Sequence, residues 1–212
     1  MKPPCVILAG GRSSRMGGGD KGLMPLNGRP MLAHVLEVIA RQVSVVLINS
    51  NSEPELFQCF ALPIAADATA GFQGPLSGLL TGMLWARDHH GATHMLSVPC
   101  DTPFLPTDLV GGLQDALRGN DIAIARDEER SHPVIGLWPV ALAERLAADL
   151  AQGTRAMHRW LAQFRVGEAV FAAHHFQNIN TRDELKEAGC RALQHKSDRG
   201  AECIRHISGI FS

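Results

Sequence analysis

Short apolar runs alternate along the chain with longer stretches of helical spacing, the pattern of buried strands joined by crossover helices in an α/β sheet. Val6–Ala9 reads as the first strand. Asn27-Gly28 reads as a turn. Pro30, whose fixed φ suits a first helical turn, opens a helix striped by Met31, Leu32, Val35, Leu36 and Ile39. Val43–Ile48 is a second buried strand ending at Asn49, and the short segment Leu62–Ala66 ends at Asp67. Gly74-Pro75 opens a helix carrying Leu79, Leu80, Met83 and Leu84. Met95–Val98 is a strand running into Pro99-Cys100-Asp101, and Leu109, Leu113 and Leu117 mark the helix after it. Ile122–Ala125 and Val134–Trp138 read as strands. Leu142, Leu146 and Leu150 line one helix; Met157, Trp160, Leu161 and Phe164 line another, as core rather than as a cofactor box. Thr181 and Glu184 have capping-box spacing, and Gly189 suits a C-terminal cap.

Polar residues sit just past several of these strands: Arg12, Asn49, Asp67 and Asp101. Open parallel sheets bind ligands at the carboxyl ends of their strands, so these distant positions are expected to converge on one crevice. A length of 212 residues favours one domain, placed at 1–190, with a polar, aperiodic tail at 191–212 packing loosely or as an appendage. The net charge of −1 gives no basic excess arguing for nucleic acid. No apolar run is long enough to span a bilayer, and Met1-Lys2-Pro3-Pro4 enters the first strand too soon for a signal peptide. Five cysteines, an odd number with no CxxC pair, fit reduced thiols in a cytoplasmic protein rather than a disulfide scaffold or zinc site.

The strongest chemical signal is the loop after the first strand, Gly10-Gly11-Arg12-Ser13-Ser14-Arg15-Met16-Gly17-Gly18-Gly19-Asp20-Lys21-Gly22. Backbone N–H groups, two arginines and a lysine brought together cradle an anion, above all a nucleoside triphosphate. It is not a Walker A loop, because Asp20 precedes Lys21 and Gly22 follows it. Asp101, at a strand end beside that loop, is the kind of carboxylate that Mg²⁺ uses together with waters and phosphate oxygens. Its five-residue distance from Pro106 makes it an awkward helix cap. Cys100 reads as packing, with no histidine to activate it. Asp67 could accept the N1–H and exocyclic amino group of guanine, and Asn49 could serve ribose or base; turn chemistry competes for both. Glu129-Arg130-Ser131-His132-Pro133 and Asn178-Ile179-Asn180-Thr181 are polar clusters that could line a second-substrate pocket, with turns and capping as the alternative. His89-His90 and His174-His175 lack partners at ligand spacing and read as solvated loop histidines.

Leu8-Ala9-Gly10-Gly11-x-Ser13-x-Arg15-Met16-Gly17 followed by Lys21 resembles the signature of nucleotidyltransferases built on a glycosyltransferase-A-like sheet. Asp20-Lys21-Gly22-Leu23, Gly74-Pro75-Leu76-Ser77-Gly78, Pro99-Cys100-Asp101-Thr102-Pro103, Glu129-Arg130-x-His132-Pro133 and Asn178-x-Asn180-Thr181 narrow the resemblance to the molybdenum cofactor guanylyltransferase family, over about residues 4 to 190. The resemblance implies a Rossmann-like three-layer α/β/α sandwich with a mostly parallel sheet, as in nucleotide-diphospho-sugar transferases. It implies GTP and molybdopterin as substrates, Mg²⁺ as cofactor, and transient contact with molybdoenzymes or their chaperones. It places GTP on Leu8, Ala9, Gly10, Gly11, Lys21, Asn49, Asp67 and Asp101, the metal on Asp101, catalysis on Arg15, Lys21 and Asp101, and the pterin on Asn178 and Asn180. The alternatives are a molybdopterin cytidylyltransferase, a sugar-phosphate nucleotidyltransferase, and a noncatalytic carrier of GTP and pterin.

Overall fold

The computed structural model describes residues 2–10, 20–69, 74–179, 181 and 184. Its spine is β1 (Cys5–Leu8), whose residues are apolar throughout because both faces are covered. Cys5 and Ile7 face one apolar cluster and Val6 the other, following the period of two along a strand. Further along the chain come a hairpin of β2 (Pro25–Leu26) and β3 (Arg29–Pro30) and then α1 (Met31–Ile39). The hairpin turns through Asn27-Gly28, both at positive φ. Next are β4 (Val46–Asn49), a 3₁₀ helix over Pro54–Phe60, β5 (Ile64–Ala65), α2 (Pro75–His90), β6 (His94–Pro99) and α3 (Leu109–Ala116). The second half adds β7 (Ile122–Arg126), β8 (Ser131–Pro139), α4 (Ala143–Ala151), α5 (Met157–Leu161) and β9 (Val166–Val170).

One seven-stranded sheet runs β5-β4-β1-β6-β8-β7-β9, and only β8 opposes its neighbours. Leu32, Val35 and Ile39 of α1 and Leu109 and Leu113 of α3 pack on one face. Leu79, Leu80 and Met83 of α2, Leu146 and Leu150 of α4, and Trp160 of α5 pack on the other. The expected three-layer, mostly parallel sandwich is therefore what forms. Trp160 lies 5.9 Å from Trp138 within the core, as the reading of that stripe as packing requires.

Several boundaries move. The strand expected from Val43 begins at Val46: the Val43 amide still bonds back to the Ile39 carbonyl, at 3.2 Å, so this buried residue belongs to the turn after α1. The segment 62–66 contributes only two strand residues. β9 and the 3₁₀ helix at Pro54–Phe60 were not anticipated. Thr181 and Glu184 form the reciprocal capping bonds, at 3.1 and 3.2 Å. Gly189, the boundary at 190 and the tail lie outside the described residues.

Candidate active site

The carboxyl ends of the adjacent parallel strands β5, β4, β1 and β6 lie side by side. Leu8 is in register with Asn49 on one side and Pro99 on the other. The ladder continues past β1, with the Ala9 amide on the Asn49 carbonyl at 2.8 Å and the Cys100 amide on the Leu8 carbonyl at 3.1 Å. This alignment brings Gly10, Asn49, Asp67 and Asp101 to one edge. Lys21 opens a 3₁₀ turn there and places its Nζ 3.2 Å from Asp101 Oδ2. Gly22 permits that approach: a Cβ on it would sit 3.2 Å from Cys100 Cβ. The Lys21–Asp101 pair is largely but not wholly withdrawn from solvent, so its charges are weakly screened yet reachable by a ligand. Burial pushes the Cys100 thiol up to about 12, with Asp101 adding to the shift, which leaves it unsuited to nucleophilic work. Asp101 caps no helix; the residue before α3 is Asp108.

Asp67 is held by amides. Asn49 Nδ2 donates to Asp67 Oδ1 at 3.1 Å and to the Ala65 carbonyl at 3.2 Å. Asn51 Nδ2 donates to Asp67 Oδ2 at 2.9 Å, while Asn51 Oδ1 accepts the Asp67 backbone N–H at 2.8 Å. One residue on, Ser52 Oγ donates to the buried Asp20 carboxylate at 2.7 Å. α2 closes over this group because Gly78 has no side chain: a Cβ there would collide with Asn49 Oδ1 and come 2.7 Å from Leu8 Cδ2. Asn51, Ser52 and Asp20 were not assigned roles from sequence. The Asn49-x-Asn51 spacing just past a strand was the available signal.

The second half contributes a different wall. The Ile179 amide bonds to the Asp101 carbonyl at 3.0 Å, and Thr102 Oγ1 donates to Asn178 Oδ1 at 3.1 Å, so Asn178 sits beside the Asp101 segment. Gly11, Arg15 and Asn180, and Arg12 with them, lie outside the described residues. Two histidine readings change. His89 and His90 end α2 rather than occupying a loop, with the His90 ring 4.5 Å from that of Trp85. His175 is tied through Nδ1 to the Phe104 carbonyl at 2.7 Å, while its neighbour His174 is exposed.

Behind this wall lies a pair that the sequence only hinted at. His132 Nε2 donates to Asp127 Oδ2 at 2.7 Å, and Asp127 Oδ1 accepts the Glu129 and Arg130 amides, both at 2.8 Å. The other face of the His132 ring environment is Phe176, 4.6 Å away, two residues before Asn178. The His132 bond first, then the Arg130 amide, holds the Asp127 carboxyl down at about 2. A depressed carboxylate stabilises the fold above its unfolded pKa, about 3.9, and that contribution is lost as pH falls toward 2. Asp127→Asn is therefore expected to destabilise the protein at pH 6 and to differ progressively less from wild type between pH 4 and pH 2.5. Chemical denaturation across that range measures it; a constant difference would assign the acid sensitivity elsewhere.

Among the described residues no three His, Cys, Asp or Glu side chains gather to hold a metal, and no helix is long and apolar enough to cross a membrane. Asp101 Oδ1 accepts no hydrogen bond from a described residue. One partly buried carboxylate with one oxygen unengaged among the described residues suits a cation that takes most of its ligands from water and phosphate, the habit of Mg²⁺.

Residues 5–170 match the MobA-like NTP transferase domain. The chain belongs to the MobA-like NTP transferase family. Its sequence relatives include a molybdenum cofactor guanylyltransferase of Rhodopseudomonas palustris, 45% identical over 199 residues, 91% of this chain and 93% of that protein. A molybdenum cofactor guanylyltransferase of Cupriavidus necator is 42% identical over 189 residues, 85% of this chain and 93% of that protein. The fold also matches the crystal structure of molybdopterin-guanine dinucleotide biosynthesis protein A from Archaeoglobus fulgidus, with a TM-score of 0.73 at 20% identity, covering 90% of this chain and 99% of that one. Within this MobA-like family the carboxyl edge described above is the candidate nucleotide site.

Proposed function

We infer that this nucleotidyltransferase moves GMP from GTP to molybdopterin, with or without bound molybdenum, giving molybdopterin guanine dinucleotide and pyrophosphate. The observation that carries the reading is the meeting, at one sheet edge, of a Lys21–Asp101 pair and an Asp67 carboxylate held by neutral amides. The first is suited to phosphates and the second to a base with two parallel N–H donors. Leu8, Ala9, Gly10 and Gly11 carry the nucleotide at the end of β1; the Ala9 amide is spent on the Asn49 carbonyl, so backbone donation to the phosphates falls to the glycines beyond it, and Asn49 serves base or ribose.

The terminal phosphate of the pterin attacks the α-phosphorus of GTP; a new P–O bond forms and the bond to the β-phosphate oxygen breaks. The nucleophile is already an anion, so no residue has to remove a proton. The task is to bring anions together and to hold the charge that grows on departing pyrophosphate. Lys21, with Arg15 and the loop amides, holds those phosphates. Asp101 is the residue to hold Mg²⁺, which when bound supplies a Lewis-acid charge to the phosphate oxygens. Asn178 and Asn180 are the residues assigned to the pterin. The free thiols Cys5, Cys59 and Cys100 support a reducing, cytoplasmic setting, from which product passes by transient contact to molybdoenzymes or their chaperones.

Transfer of α-phosphate label from GTP, CTP or ATP to purified molybdopterin in Mg²⁺ tests the reading. Label is expected to move from GTP. Transfer from CTP alone would overturn the base assignment, and GTP binding with no transfer from any nucleotide would overturn the acceptor.

A further inference from the structure

Four consecutive residues, Asn49-Ser50-Asn51-Ser52, touch both halves of the nucleotide site. Asn49 and Asn51 grip the two oxygens of Asp67 from β4 and the turn beyond it. Ser52 grips Asp20, whose neighbour Lys21 pairs with Asp101. We propose that this segment is a positioning strap: Asn51 sets the Asp67 carboxylate for base selection, and Ser52 sets the end of the phosphate loop that carries Lys21. This rests on the reading of Asp67 as the base-reading group.

The chemistry of the grip argues for a role beyond folding. Asn51 is exposed and Asp67 only half-buried, and hydrogen bonds in water add little to stability. Yet Asn51 makes a reciprocal pair with Asp67, donating to its carboxylate and accepting its backbone N–H, which fixes the plane of a side chain that would otherwise rotate. The donors on both oxygens are neutral. An arginine would cover both oxygens and cancel the charge. An amide on each brings no opposing charge and leaves a further lone pair on each oxygen. Guanine offers two parallel donors, N1–H and the 2-amino group, to such a pair. Hypoxanthine keeps N1–H and lacks the amino group, and adenine has no N1–H.

The other end of the strap acts on charge placement. Asp20 is buried beside the phosphate loop, and the Ser52 hydroxyl is donated to its carboxyl oxygen at 2.7 Å, a short side-chain bond across 32 residues of chain. Without it the buried carboxylate loses a donor next to Lys21. The consequence is a division of labour along two adjacent side chains, one felt in base preference and one in turnover.

The test compares GTP with ITP in guanylyl-type transfer to molybdopterin by wild type, Asn51→Ala, Ser52→Ala and Asp67→Asn, each checked by thermal unfolding. Asn51→Ala is expected to lower the GTP-to-ITP ratio of kcat/KM about tenfold, the scale of one hydrogen bond to a charged group. Ser52→Ala is expected to lower kcat about fivefold to tenfold with that ratio unchanged. If Asn51→Ala fails to fold, Asn51→Asp, which keeps the acceptor and the volume but sets a like charge against Asp67, is expected to lower the ratio instead. A ratio unmoved by the Asn51 variant while Asp67→Asn collapses it would overturn the strap and leave the Asp67 reading standing. A ratio unmoved by Asp67→Asn would overturn both. Wild-type turnover in Ser52→Ala would overturn the phosphate-side half.

Discussion

Asp101→Asn is expected to fold as the wild type does and to lose guanylyl transfer by about 10³-fold or more, even at saturating Mg²⁺. The substitution keeps the shape of the side chain and changes only its charge. The contacts that fix the segment are untouched, because the Ile179 amide binds the Asp101 backbone carbonyl and Asn178 is held by Thr102. What disappears is the negative partner of Lys21 at 3.2 Å and the carboxylate oxygen that suits Mg²⁺. An amide oxygen binds Mg²⁺ too weakly to replace it at ordinary concentrations, and Lys21, still partly open to water, is not stranded as a buried charge. Steady-state transfer over an Mg²⁺ titration, with circular dichroism of the same samples, makes the measurement. Near-wild-type turnover at high Mg²⁺ would remove Asp101 from the metal.

The order of strands and helices was legible because a parallel sheet covered on both faces writes its strands as unbroken apolar runs. β1 and the Val46–Ile48 run of β4 are of that kind, and the helical stripes of α1 and α3 are equally plain. Where the reading failed, apolar content and conformation had parted company. Val43 is buried but belongs to a turn, and Phe57 and Phe60 are buried on a 3₁₀ helix too short to show a period. β9 was hidden for the opposite reason. Its inward residues are Gly167 and Ala169, and a Cβ on Gly167 would collide with the Ala116 carbonyl of α3. A strand pressed this close to a helix must use small residues, and small residues carry little hydrophobic signal.

At the site, the legible residues were those whose place follows from topology. Asn49, Asp67 and Asp101 stand at the ends of adjacent parallel strands, and the sheet alone brings them together. Lys21 was legible from its glycine-rich context, though not its pairing with Asp101, which depends on how the 3₁₀ turn folds back against Cys100. Asn51, Ser52 and Asp127 were missed because their roles arise from contacts with residues 16, 32 and 5 positions away, and no period marks a polar residue in a turn. His132 was visible as part of a polar cluster; that it buttresses Phe176 and so the Asn178 segment was not.

Lys21→Ala is expected to lower kcat by about 10² to 10³, with a smaller effect on KM for GTP, because its cation matters most where charge builds up on the leaving pyrophosphate. This corresponds to about 2.7–4 kcal/mol of transition-state stabilisation. The local backbone gives no reason for the variant to misfold. The turn is closed by Leu23 and Met24 amides on the Asp20 and Lys21 carbonyls, each at 3.1 Å, and alanine keeps both. The alanine variant leaves Asp101 without its cation, so a second cation, Lys21→Arg, separates the two functions of the side chain. Arginine restores charge in the cleft, but its planar fork is a different shape from a compact ammonium. It is expected to recover GTP binding while recovering turnover only in part. Single-turnover kinetics of both variants, read beside GTP affinity, make the comparison. A loss of only a few-fold in Lys21→Ala would mean that the charge on departing pyrophosphate is carried elsewhere and that the lysine serves chiefly to hold Asp101 in place.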